Sequence, residues 1–193
     1  MTNRAVFFDR DGTLIREKNY LHRPEELALF PSALSALRLL QTAGFLLFVV
    51  TNQSGVGRGY FTMEDVNSVH QRLAADLATG GVALARIYVA PEAPDQPSRG
   101  RKPSPQFLFD ARDEFHVKLS ESYMVGDKLL DLECGWNAGV RRSLLVRTGY
   151  GAKVEQSPAP GLREAVVVDD LRGASDWILN DSREAQGAST TAS

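Results

Sequence analysis

Asp9-Arg10-Asp11-Gly12-Thr13 puts two carboxylates one residue apart, directly after the apolar run Val6-Phe7-Phe8. Carboxylates so spaced at a strand end can divide their labour. Asp9 is free to attack phosphorus and help hold a divalent cation, while Asp11 can give and take a proton. Gly12 admits the tight turn that must follow. A turn that favours Asp and Gly for backbone reasons has the same composition, so this cluster decides nothing alone. Thr51-Asn52-Gln53-Ser54 follows Phe48-Val49-Val50. Its hydroxyl and amide groups, with the N–H groups of the Ser54–Gly59 loop, can donate to a phosphoryl oxygen. In Arg101-Lys102-Pro103, Lys102 can offset the charge of a transferring phosphoryl group and Arg101 offers a planar fork. Gly126-Asp127-Lys128-Leu129-Leu130-Asp131 follows Tyr123-Met124-Val125. Asp127 supplies a second carboxylate for the cation, and magnesium needs few protein carboxylates because water and substrate oxygens complete its shell. Asp131, one helical turn onward, either acts through a water, orients Lys128 or caps the helix.

The elements that must position these groups follow from apolar patterning. Ala5–Phe8, Phe45–Val50, Ile87–Val89, Tyr123–Val125, Leu144–Val146 and Ala165–Val168 read as buried strands alternating with helix-period segments. That alternation predicts an α/β, Rossmann-like, mainly parallel sheet flanked by helices, with no large cap domain. The clusters fall beyond the C-terminal ends of strands, where open parallel sheets place ligands. Pro31 opens a helix carrying Leu34, Leu37 and Leu40, and Gly44 stops it. Thr62 and Asp65 resemble a capping box before the stripe Val66, Val69, Leu73 and Leu77. Ser104-Pro105 opens a helix with Leu108, Ala111 and Phe115 on its apolar face. Pro91–Pro105 and Gly149–Gly161 read as loops, and Leu14–Phe30 as the largest candidate flap. We expect one domain over residues 1–180 and a small, polar, disordered tail over 181–193.

Bulk properties exclude several classes. The 193 residues are 43% hydrophobic and 24% charged, with a formal net charge of -2. Interspersed charge leaves no footprint for nucleic acid or a membrane surface, and no apolar run is long enough to span a bilayer. The single cysteine, Cys134, forbids a disulfide framework and reads as a small core residue. The start of the chain lacks a signal-peptide layout, which gives a cytoplasmic expectation. With no coiled-coil seam, a monomer is expected. His22, His70 and His116 do not cluster with carboxylates in sequence; His70 and His116 read as surface or packing residues, with His22, in the flap, more open. Trp136 and Trp177 read as packing aromatics.

Acid pair, hydroxyl, lysine and acid, in that order, resemble the four motifs of the haloacid dehalogenase superfamily of phosphatases. D-R-D-G-T, V-T-N-Q-S-G, R-K-P and G-D-K-x-x-D stand in for them, and the resemblance covers about Val6 to Val168. Together with Tyr20-Leu21-His22 and Arg58-Gly59, these spellings look like the branch that acts on heptose bisphosphates and histidinol phosphate. The resemblance implies magnesium held by Asp9, the backbone carbonyl of Asp11 and Asp127. It implies Asp9 as nucleophile, Asp11 as general acid and base, and Thr51 and Lys102 as stabilisers of the phosphoryl group. Substrate contacts fall to Arg10, Glu17, Lys18, Asn19, Tyr20, Asn52, Gln53, Ser54, Arg58, Arg101 and Lys128, with Arg58 or Arg101 gripping a second phosphate. The implied substrate is a phosphorylated sugar, heptose 1,7-bisphosphate losing its 7-phosphate, on the way to activated heptose for surface polysaccharide. Alternatives are histidinol phosphate or another small phosphomonoester, or a non-catalytic phosphometabolite-binding protein on the same fold. Such enzymes commonly carry a zinc loop with C-x-H and C-x-C pairs. Here Ala90-Pro91-Glu92 replaces the first pair and Pro94–Gly100 has neither cysteine nor histidine, so zinc is not expected.

Overall fold

The protein is described by a computed structural model covering residues 2–157 and 162–190. Six parallel strands form one sheet in the order β3-β2-β1-β4-β5-β6. They are β1 (Arg4–Phe8), β2 (Phe45–Asn52), β3 (Arg86–Ala90), β4 (Tyr123–Gly126), β5 (Arg142–Val146) and β6 (Val166–Val168). Among the described residues seven α-helices accompany them: α1 (Ala33–Thr42), α2 (Ser54–Gly57), α3 (Met63–Thr79), α4 (Gln106–Phe115), α5 (Leu129–Ala138), α6 (Gly151–Glu155) and α7 (Leu171–Thr190).

Central strands of a parallel sheet are covered on both faces, which is why β1 and β2 are almost continuously apolar. Alternation along β1 divides the core in two. Val6 and Phe8 face a layer that includes Leu37 and Leu40 of α1, Leu73 and Leu77 of α3, and Ile178 of α7. Ala5 and Phe7 face Leu108 and Ala111 of α4 and Cys134 of α5. The expected capping box starts α3: Thr62 Oγ1 accepts from the Asp65 N–H at 3.2 Å, and Asp65 Oδ2 accepts from the Thr62 N–H at 2.8 Å.

Strand order and register together assemble the site. The chain runs outward from β1 through β2 to β3, then returns to the other side of β1 as β4, so β1 lies beside a topological switch point. Phe8 lies level with both Val49 and Val125. Asp9, Thr51 and Asp127 therefore leave their strands within about one residue of the same height.

Two expectations about irregular segments are corrected. The Gly149–Gly161 stretch contains α6, and its residues 158–161 lie outside those described. The C-terminal segment is helical as far as Thr190, where a disordered tail was expected from 181. Leu171, Ala174 and Ile178 seal one face of this helix against the sheet. Asp181, at the supposed start of the tail, accepts hydrogen bonds from the Tyr123 hydroxyl at 2.7 Å and from Arg141. The remaining three residues of the expected tail, 191–193, lie outside those described. Among the described residues no helix is long and apolar enough to cross a membrane.

Removing the Asp181 carboxylate leaves a mostly buried phenol and a guanidinium without their partner. Asp181→Ala is expected to lower unfolding free energy by about 1–3 kcal/mol in urea titration, with kcat of the folded fraction unchanged.

Candidate active site

At the C-terminal edge of the sheet, Lys102 is almost completely buried and its Nζ lies 2.6 Å from Asp9 Oδ1 and 2.6 Å from Asp131 Oδ1. Burial opposes the charge on Lys102, but the Asp131 and Asp9 carboxylates more than offset it, and its pKa is raised. The lysine is a fixed cation. Its backbone is fixed as well, because Asn52 at the end of β2 grips it with both amide atoms. Asn52 Oδ1 accepts from the Lys102 N–H at 3.0 Å, and Asn52 Nδ2 donates to the Lys102 carbonyl at 3.2 Å.

Asp131 does two things at once. Oδ1 meets Lys102, and Oδ2 accepts from the Lys128 N–H at 2.9 Å, closing the first turn of α5. The N-cap position read for Asp131 from sequence belongs to Lys128; Asp131 is the third residue of the helix and reaches back to the cap's N–H. The lysine it orients is Lys102, in place of the expected Lys128.

Asp127 is fully buried where β4 ends. Its Oδ2 accepts from the Tyr150 N–H at 2.8 Å. Oδ1 has no hydrogen-bond partner, and the nearest cation, Lys128 Nζ, stands 3.9 Å away. Glycines on both sides allow this approach: a Cβ at Gly12 or at Gly149 would lie 2.2 Å from Asp127 Oδ2, and both residues have positive φ. Burial, then the neighbouring Asp9 charge, push the Asp127 carboxyl up to about 8.

These carboxylates define the one potential metal-ligand cluster among the described residues: Asp9, Asp127 and Asp131 bring oxygens within 4.8 Å of one another. Both Asp131 oxygens are engaged by lysine groups, so Asp9 and Asp127 are the ones suited to a cation. An orphaned, buried carboxylate oxygen is satisfied by a hard divalent ion, which prefers oxygen ligands.

Asp11, two residues after Asp9, is held on two sides. Arg10 Nε donates to Oδ2 at 2.9 Å and Arg10 Nη2 to Oδ1 at 3.1 Å. Gln53 Nε2 lies 3.0 Å from Asp11 Oδ2 and 2.8 Å from Thr51 Oγ1, tying Asp11 to the hydroxyl on β2. The third edge of Arg10, Nη1, reaches His70 Nε2 at 3.0 Å.

Most of the residues expected from sequence meet here. A small recess of about 50 Å³ is lined by Asp9, Asp11, Thr51, Asn52, Lys102, Lys128, Leu130 and Asp131. It adjoins an open cavity of about 270 Å³ bordered by Glu17, Lys18, Asn19, Tyr20, Gln53, Ser54, Lys128 and Tyr150, among others. Lys128 Nζ lies 3.3 Å from Glu17 Oε2 and 4.9 Å from the Tyr150 ring centre. Burial raises the Glu17 pKa against the opposing pull of Lys128.

Several expectations change. Arg10, expected to touch substrate, borders the open cavity, but its side chain is buried and engaged by Asp11 and His70. Asn52 borders both cavities with its amide committed to Lys102. Arg58 and Arg101 line neither cavity. Arg101 Nη1 donates to the Glu92 carbonyl at 3.1 Å, and burial, then the adjacent Arg58 charge, lower its pKa. The loop that carries Arg101 is closed by its own bonds, Ser98 Oγ to Glu92 Oε2 at 2.6 Å and Ala93 N–H to Gln96 Oε1 at 2.8 Å. Tyr150 and His70 had no sequence signal: one sits in an expected loop, the other on the apolar stripe of a helix.

Comparison with known proteins agrees with this geometry. A profile described as HAD-hydrolase-like matches residues 100–174, and one described as polynucleotide kinase 3 phosphatase matches residues 4–130. The D-glycero-beta-D-manno-heptose-1,7-bisphosphate 7-phosphatase of Escherichia coli is 36% identical over 183 residues, covering 91% of this chain and 88% of its own. The D-glycero-D-manno-heptose-1,7-bisphosphate 7-phosphatase of Thermosynechococcus vestitus is 37% identical, covering 92% and 96%. Among solved structures, the D,D-heptose 1,7-bisphosphate phosphatase of B. bronchiseptica, in complex with magnesium and phosphate, superposes with a TM-score of 0.84. It is 30% identical and covers 92% of this chain and 99% of its own. The chain belongs to the haloacid dehalogenase-like hydrolases, and within them to the family of the heptose 1,7-bisphosphate phosphatases.

Because Asp127 must be a carboxylate to take a cation, binding is linked to proton release. Magnesium affinity, followed by calorimetry, is expected to strengthen as pH rises toward about 8 and to level off above it. Asp127→Asn should abolish both the binding and its pH dependence.

Proposed function

We propose that the protein is a magnesium-dependent phosphatase that removes the 7-phosphate of D-glycero-D-manno-heptose 1,7-bisphosphate through an aspartyl-phosphate on Asp9. The observation that carries this reading is the Asp9–Lys102–Asp131 arrangement, with both lysine contacts at 2.6 Å beneath a recess that opens onto a larger polar cavity. The names of relatives that match this chain over most of both lengths supply the substrate.

An Asp9 carboxylate oxygen forms the bond to phosphorus as the bond from phosphorus to the sugar oxygen breaks. Asp11 gives its proton to that departing oxygen. The Asp11 carboxylate then takes a proton from water, which attacks phosphorus, frees Asp9 and restores the starting protonation. Lys102 stays charged throughout, and with Thr51 Oγ1 it faces the charge on the phosphoryl oxygens. Asp9, Asp127 and the Asp11 backbone carbonyl would hold magnesium, whose role is to neutralise phosphoryl charge and orient the group. No zinc is invoked, since the loop between Ala90 and Lys102 has neither cysteine nor histidine to hold it.

Glu17, Lys18, Asn19 and Tyr20 from the flap, Gln53 and Ser54 from the start of α2, and Lys128 surround the sugar in the open cavity. The neighbouring guanidinium groups of Arg58 and Arg101, which line neither cavity and whose mutual repulsion an anion would relieve, take the second phosphate where the substrate extends past the open cavity. The compartment is the cytoplasm.

Phosphate release from heptose 1,7-bisphosphate in magnesium, with fructose 1,6-bisphosphate and histidinol phosphate beside it, tests the assignment. Asp9→Asn is expected to lower turnover by at least about a thousandfold while the fold is kept. Preference for histidinol phosphate would retain the chemistry and replace the substrate; no release from any of them would leave a binding protein. Arg58→Ala with Arg101→Ala should raise KM for the bisphosphate by roughly tenfold or more, with little change for the monophosphate. Equal effects on both would remove the second-phosphate role.

A further inference from the structure

A buried arginine with every edge of its guanidinium engaged is a rigid body, and here it stands between the acid pair and a helix with no other part in the chemistry. Arg10 is fully buried. Nε and Nη2 grip the two oxygens of Asp11 at 2.9 and 3.1 Å, and Nη1 meets His70 Nε2 at 3.0 Å. A guanidinium can only donate, so Nε2 of His70 must carry a lone pair and the ring must be the neutral tautomer protonated at Nδ1. Burial, then the Arg10 charge, hold the His70 pKa down to about 3, so the ring remains an acceptor at ordinary pH. His70 lies on the stripe of α3 that also buries Val66, Val69 and Leu73, and the helix start is anchored by the Thr62–Asp65 capping box.

We infer that His70 is a positioning residue for the phosphoryl-transfer reaction, acting through Arg10 to hold Asp11 where it can protonate the leaving oxygen. The inference rests on the phosphatase reading above. Without an acceptor at this place, a buried Nη1 group is left unsatisfied, and Arg10 recovers a partner only by turning, which carries Asp11 with it. Gln53 then holds Asp11 by one oxygen alone. The attacking side of the site is not in this chain: Asp9 and Lys102 are fixed by Asp131 and Asn52.

The consequence is selective. Cleavage of a sugar phosphate expels a basic alkoxide and needs the Asp11 proton; cleavage of p-nitrophenyl phosphate expels a stable phenolate and does not. Measured with enzyme in excess over substrate, so that only bond cleavage is read, His70→Leu is expected to slow cleavage of the sugar phosphate by roughly tenfold or more. Cleavage of p-nitrophenyl phosphate should stay within about twofold of wild type. His70→Gln, whose amide oxygen can accept from Arg10, should recover most of the sugar-phosphate rate. His70→Met, of similar volume and without a nitrogen acceptor, serves as the second variant and should repeat the leucine result.

Equal slowing of both substrates would reduce His70 to a packing residue and overturn the inference, as would an unchanged sugar-phosphate rate. A wild-type protein that cleaves neither substrate would overturn the phosphatase reading itself, and the positioning role with it.

Discussion

Three carboxylates brought within 4.8 Å of one another in a buried place repel each other and lose their hydration. The protein answers with one lysine, Lys102, placed 2.6 Å from two of them, and with a third carboxylate, Asp127, whose Oδ1 has no hydrogen-bond partner. Much of the surrounding architecture exists to keep that lysine from moving. Asn52 clamps its backbone, and Asp131 serves both its ammonium group and the first turn of α5. Gly12 and Gly149 leave room for Asp127 to approach. A cation shared between a nucleophile and a structural acid keeps its charge whatever the substrate does. That is the property required of a group that must oppose phosphoryl charge in the transition state.

The parts converge because the sheet is parallel and its order reverses beside β1. Asp9, Thr51 and Asp127 come from three neighbouring strands whose register sets them at nearly one height. Only Lys102 arrives from a loop, and it is the residue with the most elaborate tethering. The acid Asp11 has a separate support through Arg10, Gln53 and Thr51. Attack and proton transfer are thus held mainly by different side chains, Lys102, Asp131 and Asn52 for the one and Arg10 for the other, with Gln53 linking Asp11 to Thr51.

Much of this was legible in the sequence, for a physical reason. Buried parallel strands must be apolar over their length, so Val6-Phe7-Phe8 and Phe45–Val50 announce themselves, and the polar group that follows each lies at the sheet edge. Partnerships were harder. The sequence offers Lys128 beside Asp131, but folding brings Lys102 to that acid across the loop after β3. His70 carries no motif and occupies an apolar stripe, where a packing role is the ordinary expectation. Arg10 resembles a substrate-binding cation until its burial is seen. The C-terminal helix carries little signal because the sequence after Asp181 is mostly small and polar, and its fixing contact, Asp181 with Tyr123 and Arg141, spans 58 and 40 residues.

The account turns on Asp9 forming a covalent bond to phosphorus. Enzyme quenched during turnover of the heptose bisphosphate and treated with borohydride should carry homoserine in place of aspartate at position 9, since an acyl phosphate is reduced and a free carboxylate is not. Mass spectrometry of the peptide containing Asp9 reads this directly. Homoserine at position 9 alone is the result the geometry predicts. Full turnover with aspartate unaltered at position 9, or with the reduced residue at Asp11, Asp127 or Asp131 instead, would contradict it.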